Sequence, residues 1–456
     1  MTGSASPART ELLRGWGRTT PARSQVLAVE SEAEVVAAVR GVGAEGVVAR
    51  GLGRSYGDPA QNAGGLVLDG PARSGLIDLD LHTGVARILA GTSLDDLMSW
   101  LVPLGWFVPV TPGTRIVTVG GAIASDIHGK NHHRSGSWCN HVLSMRLVDG
   151  TGEVRELSPT QDADLFWATA GGMGLTGIIL DATVQLLSVG SSRILVDSDR
   201  APDLDAVMAM MVDGDDDYDY SVAWIDVMAK GRHLGRSVLD RGRFATRDEL
   251  LAAGIERPSE YAPHMLPSLP DVFPSGLVNR LSVKAFNELW FRKAPVRRRD
   301  ALMGIEAFFH PLDMVADWNR VYGQRGFMQW QYVVPDDAGD FVRRSLERIS
   351  GAGLPSFLSV LKRMGPGNPG HLSFPISGWT LTIDIPIAAG LEHIFDELDR
   401  EVADLGGRLY LAKDSRLDPG LVAAMYPRID EWRGIRGAAD PDRRFRSDLG
   451  RRLGLI

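Results

Sequence analysis

The sequence predicts an α+β chain in two parts: an N-terminal domain of mixed helices and strands, and a second domain built on an antiparallel sheet. Three observations predict it. Up to about residue 189, short apolar runs alternate with segments of helical spacing. Two glycine-rich segments, around 50–58 and 112–130, each follow one of those runs. Further on, 327–334 and 379–386 alternate with period two, as strands with two different faces do.

Taken in order, 25–29 reads as a strand. Ser31 and Glu34 have capping-box spacing, so a helix starts there and valines and alanines carry it to Arg40. Residues 46–50 form a strand leading into the first glycine loop. Residues 86–90 alternate as a strand, and 93–104 read as an amphipathic helix capped by Ser93 or Asp95. The apolar run 106–110 leads into the second loop, and 142–148 and 177–187 continue the mixed pattern. Near Val189 the pattern changes. Residues 203–211 look helical, 213–217 are a solvated acidic turn, and 218–227 alternate. Residues 264–299 are rich in proline and charge without clear periodicity. The runs 327–334, 356–362 and 379–386 read as strands of one antiparallel sheet, with a helix at 390–405 between two of its strands. The expected boundaries are 1–189, 190–412 and a C-terminal segment, 413–456.

Bulk properties narrow the function. At 456 residues, with 44% hydrophobic and 23% charged residues, the chain is long enough for a sizeable core. A net charge of −8 argues against nucleic-acid binding, which needs a positive field. The single cysteine can make no internal disulfide and no thiolate cluster, so a reducing compartment is the default. No apolar run approaches the roughly 20 residues of a spanning helix, and the N-terminus lacks a signal-peptide core. These features predict a cytoplasmic protein, or one peripheral at the inner membrane, unless another route exports it to the cell envelope.

The glycine loops carry the chemistry. Glycine tolerates positive φ and has no Cβ, so successive amides can converge on one anion. Two such loops suit a ligand with a diphosphate in its middle. There is no G-x-G-x-x-G opening a helix with an acidic residue about 20 positions on, and no G-x-x-x-x-G-K-[ST] phosphate loop. His128, Lys130, His132 and His133 crowd together, but no carboxylate or thiol completes a metal-ligand spacing, so no metal is expected.

Three motifs, Arg50-Gly-Leu-Gly-Arg-Ser-Tyr-Gly-Asp58, the segment from Pro112 to His133, and Gly171-Gly-Met-Gly-Leu-Thr-Gly177, resemble the vanillyl-alcohol-oxidase class of FAD flavoproteins. Within it they resemble the decaprenylphosphoryl-β-D-ribose 2′-oxidase family, the flavin subunits of an actinobacterial cell-wall epimerase. The resemblance runs from about Leu13 to Ile456. It implies an FAD-binding domain of the PCMH type, a substrate domain, and a C-terminal segment that returns to the FAD domain. It implies cofactor contacts from Arg50, Gly51, Gly53, Arg54, Ser55, Tyr56 and Gly57, and from Gly113, Thr118, Val119, Gly120, Gly121, Ser125 and His128. Ile178 and Tyr410 belong to the same implied set. Many relatives carry a covalently attached histidine where this chain has Arg54, which implies non-covalent FAD here.

For the substrate, the resemblance implies Tyr56, Lys130, Trp224, Gln329, Gln331, Lys362, Thr380 and Lys413. Catalysis is implied for Lys413 and His128, with Lys413 as base or as electrostatic stabiliser. Mycobacterial members carry asparagine and cysteine where this chain has Thr380 and Thr382. The implied reaction oxidises the ribose 2′-hydroxyl of a polyprenyl-phosphate-linked ribose, and a nicotinamide-dependent reductase completes the epimerisation. An alditol or sugar oxidase of the same class, or a flavin-bound partner protein without turnover, are the rival readings. Cys139 reads as a buried small hydrophobe. The stretch 290–299 mixes aromatic and basic residues, which suits either a solvated loop or a lid touching anionic lipid.

Overall fold

The computed structural model describes residues 8–456. The N-terminal part holds two small sheets. In the first, Ala22–Ala28, Leu66–Asp69 and Val47–Arg50 run parallel, with Arg9–Leu13 added antiparallel at one edge. Helix Glu32–Gly41 makes the crossover between two of these strands; Ser31 and Glu34 cap it reciprocally, as their spacing predicts. The second sheet is antiparallel, in the order Leu76–Asp80, Val85–Leu89, Ile178–Gln185, Val142–Val148 and Val154–Leu157. Helix Leu94–Leu101, capped by Ser93, packs on it through Leu94, Leu97, Met98 and Leu101. The expected helix 93–104 is shorter than its pattern because Pro103 supplies no amide; a 3₁₀ turn, Val102–Leu104, finishes it.

An eight-stranded antiparallel sheet forms the other half. Its order is Arg297–Gly304, Arg193–Ala201, Ser237–Phe244, Tyr220–Ile225, Ser359–Met364, Gly378–Pro386, Phe327–Pro335 and Arg408–Leu409. Strand alternation divides its faces. One face sends Tyr332, Val334, Leu361, Leu381, Ile383 and their neighbours into a core shared with helices Leu204–Gly214, Asp340–Ala352 and Leu391–Asp404. The other face turns Val222, Trp224, Gln329, Gln331, Lys362 and Thr382 toward a cavity.

The chain's last segment packs against the first loop. Phe445 bridges Val47 in parallel, and Arg452 bonds both oxygens of Asp58 (2.7 and 3.0 Å) while reaching Asp414 (2.8 Å). Two expectations need correction. The stretch 264–299 contains a fourteen-residue helix, Arg280–Lys293, capped by Asn279. It escaped detection because only Val283 and Asn287 are buried, so it carries no apolar stripe of ordinary width. Arg297–Gly304 is an edge strand, and its charged residues belong to an edge that pairs on one side only. The strand expected at 356–362 runs Ser359–Met364, because the Ser356 hydroxyl bonds the Leu358 carbonyl and holds a turn before it.

Candidate active site

A cavity of about 690 Å³ lies between the two glycine loops and the open face of the large sheet. On the loop side, the amides of Leu52, Gly53, Arg54, Ser55, Gly113 and Thr114 meet no acceptor among the described residues. Gly53 sits at φ +65°, a conformation that leaves its neighbours' amides free of the strand. A Cβ at Gly113 would meet open space, so nothing in the protein fills that side. Arg50 keeps the first loop in shape through the carbonyls of Ala60 and Arg14, both at 2.9 Å. Arg54 lies 3.9 Å over the Trp16 ring, and its buried Nε has no partner. Free amides and an unpartnered guanidinium lining a long slot fit a dinucleotide's diphosphate.

The sheet side is rich in lysine. Lys413 places Nζ 4.0 Å over the Tyr56 ring, whose backbone amide is fixed to the Ala412 carbonyl (3.0 Å). Burial lowers the Lys413 pKa, while the Asp384 carboxylate opposes that fall. Lys362 is pushed down to about 7 by burial and by Lys130 and Lys413. Lys130 falls to about 8, again by burial, with Asp240 pulling the other way; its Nζ donates to the Phe308 carbonyl and sits 4.3 Å over that ring. Three lysines share one enclosed space, a strong attraction for an anion in surroundings of low dielectric.

His128 stands between the walls. Its ring packs against Tyr410 (5.1 Å) and Phe374 (5.4 Å), and burial together with Lys362, His132 and Lys413 holds it neutral. Its Nε2 lies 2.9 Å from the Gln331 amide nitrogen. An amide N–H donates, so Nε2 accepts and the proton rests on Nδ1, which has no protein partner. His128 therefore offers a hydrogen-bond donor and no positive charge. Tyr410 donates to the Ser125 carbonyl (2.9 Å), and Trp224 Nε1 donates to the Phe357 carbonyl (3.0 Å).

Comparison with known proteins agrees with this geometry. The family model described as FAD binding domain matches residues 23–158. A decaprenylphosphoryl-β-D-ribose oxidase of Mycolicibacterium smegmatis is 48% identical over the full length of both chains. The chain belongs to this oxidase family. An uncharacterized protein of Streptomyces coelicolor is 41% identical over 80% of this chain and all of its own. An L-gulono-1,4-lactone dehydrogenase of Mycobacterium tuberculosis is 23% identical over 96% of this chain and 97% of its own. The protein is an FAD-dependent oxidoreductase. No helix among the described residues is long and apolar enough to cross a membrane.

The cavity gathers most of the residues expected from sequence. Its loop wall includes Arg50, Gly51, Gly53, Arg54, Ser55, Tyr56, Gly113, Thr118, Gly120, Gly121, Ser125, His128 and Ile178. Its sheet wall includes Lys130, Trp224, Gln329, Gln331, Lys362, Tyr410 and Lys413. Three expected contacts fall outside. Gly57 is small because the Asp414 carbonyl occupies the place of its Cβ, a packing role. Val119 is fully buried in the core, and its amide donates to the Thr92 carbonyl (2.9 Å). Thr380 lies behind the cavity wall: its hydroxyl donates to the Tyr332 carbonyl (2.7 Å) and accepts from Gln331 (3.3 Å). Thr380 orients a wall residue instead of lining the wall. Thr382, directly opposite Gln331 in the strand register, takes the wall position.

Sequence reasoning missed Asp384. It pairs with Gln329 across the strands, is completely buried, and receives the Gln329 amide on Oδ1. Counting alternate positions from Thr382 would have placed it on the cavity-facing side. Asp240 and Phe308 beside Lys130 were missed as well, since they reach the site from strand Ser237–Phe244 and helix Ile305–Phe309, both distant in sequence. Cys139 is buried, its Sγ 3.7 Å from the Ile123 carbonyl.

Proposed function

We propose that this chain oxidises the 2′-hydroxyl of decaprenylphosphoryl-β-D-ribose to the ketone, with FAD held non-covalently as the oxidant. One observation carries the reading: a lysine-lined chamber joins a wall of free amides on one side and an apolar mouth on the other. That mouth includes Met265, Phe286, Trp290 and Leu312. A sugar phosphate with a lipid tail needs all of these features in one continuous space. The relative of the same name, matched over its whole length, supports the same substrate.

The bound flavin supplies the hydride acceptor. Lys362 and Lys130 neutralise the phosphodiester, and Gln329 and Gln331 hold sugar hydroxyls from neighbouring positions of one strand face. Lys413, with its lowered proton affinity, takes the hydroxyl proton as the carbonyl forms. Neutral His128 donates through Nδ1 and adds no charge to an already cationic chamber. A nicotinamide-dependent reductase then completes the epimerisation.

Helix Arg280–Lys293 exposes Leu281 and Leu289 beside Trp290, among Arg280, Lys284, Arg292 and Lys293. An apolar face set among cations suits an anionic bilayer from which the lipid substrate would enter. The test is product identity. Trapping the product with borodeuteride should place deuterium at C2′ and yield both ribose and arabinose forms. Deuterium elsewhere, or none, would overturn the assignment of the reacting carbon.

A further inference from the structure

Asp384, on the strand face of Gln329 and Thr382 but behind the cavity lining, is a fully buried carboxylate whose second oxygen is left without a partner. Gln329 donates to Oδ1; Oδ2 meets no donor among the described residues. The groups that bear on it are Lys413, the hydroxyls of Tyr56 and Tyr322, and the Gln329 amide. Tyr322 also has a buried hydroxyl without a partner. A carboxylate this deep with a single hydrogen bond is costly unless a cation shares its space. Lys413 is that cation. Its own Nζ faces His128 and Lys362, which are repulsive or neutral toward it, and the Tyr56 ring beneath it.

We infer that Asp384 is a positioning residue that acts through Lys413: its carboxylate is the countercharge that lets the buried Lys413 nitrogen carry a proton. The catalytic consequence rests on Lys413 being the proton acceptor, as proposed above; the charge relation does not. Gln329 then has two duties. It faces the cavity, and it fixes the carboxylate so that the negative charge stays aimed at the same space. Burial pulls the two titrations toward each other, Lys413 downward and Asp384 upward, and each opposes the other's loss of charge. Without the carboxylate, Lys413 would be the weaker base, because Asp384 is the only anion that acts on it, while Asp240 bears on Lys130.

The chain has six lysines, few enough for each to be followed individually by carbon NMR of lysine labelled at Cε. The holoenzyme would be titrated as wild type and as Asp384→Asn, with Lys413→Met assigning the signal. The Lys413 midpoint should move down by about one pH unit or more in Asp384→Asn, the usual scale for losing a close opposite charge. The acidic limb of the flavin-reduction rate should move down with it. Asp384→Ser, smaller and still able to accept from Gln329, should give the same shift, and serves if the asparagine variant does not load FAD. An unchanged Lys413 midpoint in a loaded variant overturns the inference. A midpoint that moves while the rate profile stays put keeps Asp384 as the countercharge and removes Lys413 as the base.

Discussion

Substrate affinity should depend on pH in a way set by the chamber's lysines. Lys362 loses its proton around pH 7 and Lys130 around pH 8, both because burial penalises their charge. Both are cations below those values and neutral above them, so the attraction for a phosphodiester, an anion throughout this range, fades as pH rises. If the ligand needs both charges, raising the pH from 6 to 8 costs about tenfold through Lys362 and about twofold through Lys130, some ~20-fold together. The assay is equilibrium binding of the 2′-deoxy analogue to the FAD-loaded protein, followed by tryptophan fluorescence; that ligand cannot be oxidised at C2′. Lys362→Met should weaken binding at pH 6 and flatten the dependence to about twofold. Wild-type affinity that stays constant from pH 6 to 8 would refute the idea that these lysines hold the phosphate.

Other outcomes follow from the same geometry. Acid or heat precipitation should release all yellow colour from the chain, because Arg54 cannot form the histidyl bond; colour on the pellet would contradict non-covalent binding. Lys413→Met should retain FAD, because the free loop amides proposed to hold it lie elsewhere, yet reduce flavin about 100-fold more slowly, near 2.7 kcal/mol of barrier; near-normal single-turnover bleaching would remove Lys413 from the chemistry. Limited proteolysis should begin between 263 and 279, ahead of the capped helix Arg280–Lys293, and anionic liposomes should slow it. Equal cutting with and without liposomes would make that stretch an ordinary solvated loop. Arg18, which forks onto Asp271 with two bonds of 2.7 Å, restrains this stretch, so Arg18→Ala should hasten the cut.

The legible parts of this chain were those written locally. Ser31 and Glu34 announced a helix, and the period of two in Phe327–Pro335 and Gly378–Pro386 announced the sheet that carries Gln329 and Gln331. The glycine loops were legible because small residues there leave the amides of Leu52 to Ser55, Gly113 and Thr114 without an acceptor among the described residues. Harder to read were features decided by distant neighbours. Whether Thr380 or Thr382 meets the cavity depends on the register against Gln331, and Gly57 answers to Asp414, hundreds of positions away. Helix Arg280–Lys293 was hidden because its exposed leucines blur the apolar stripe. Asp384 looked like one more strand residue, and only the fold shows a carboxylate sealed behind Gln329 with one oxygen unpartnered.

Oxidation of a lipid-linked ribose by this flavoprotein would show in the flavin spectrum itself. Anaerobic stopped-flow mixing of the FAD-loaded protein with decaprenylphosphoryl-β-D-ribose tests it directly. Full bleaching of one flavin per chain is expected, with free ribose and alditols at the same concentration leaving the yellow spectrum intact. Bleaching by a free alditol and not by the lipid-linked sugar would contradict it, as would a flavin that none of them reduces.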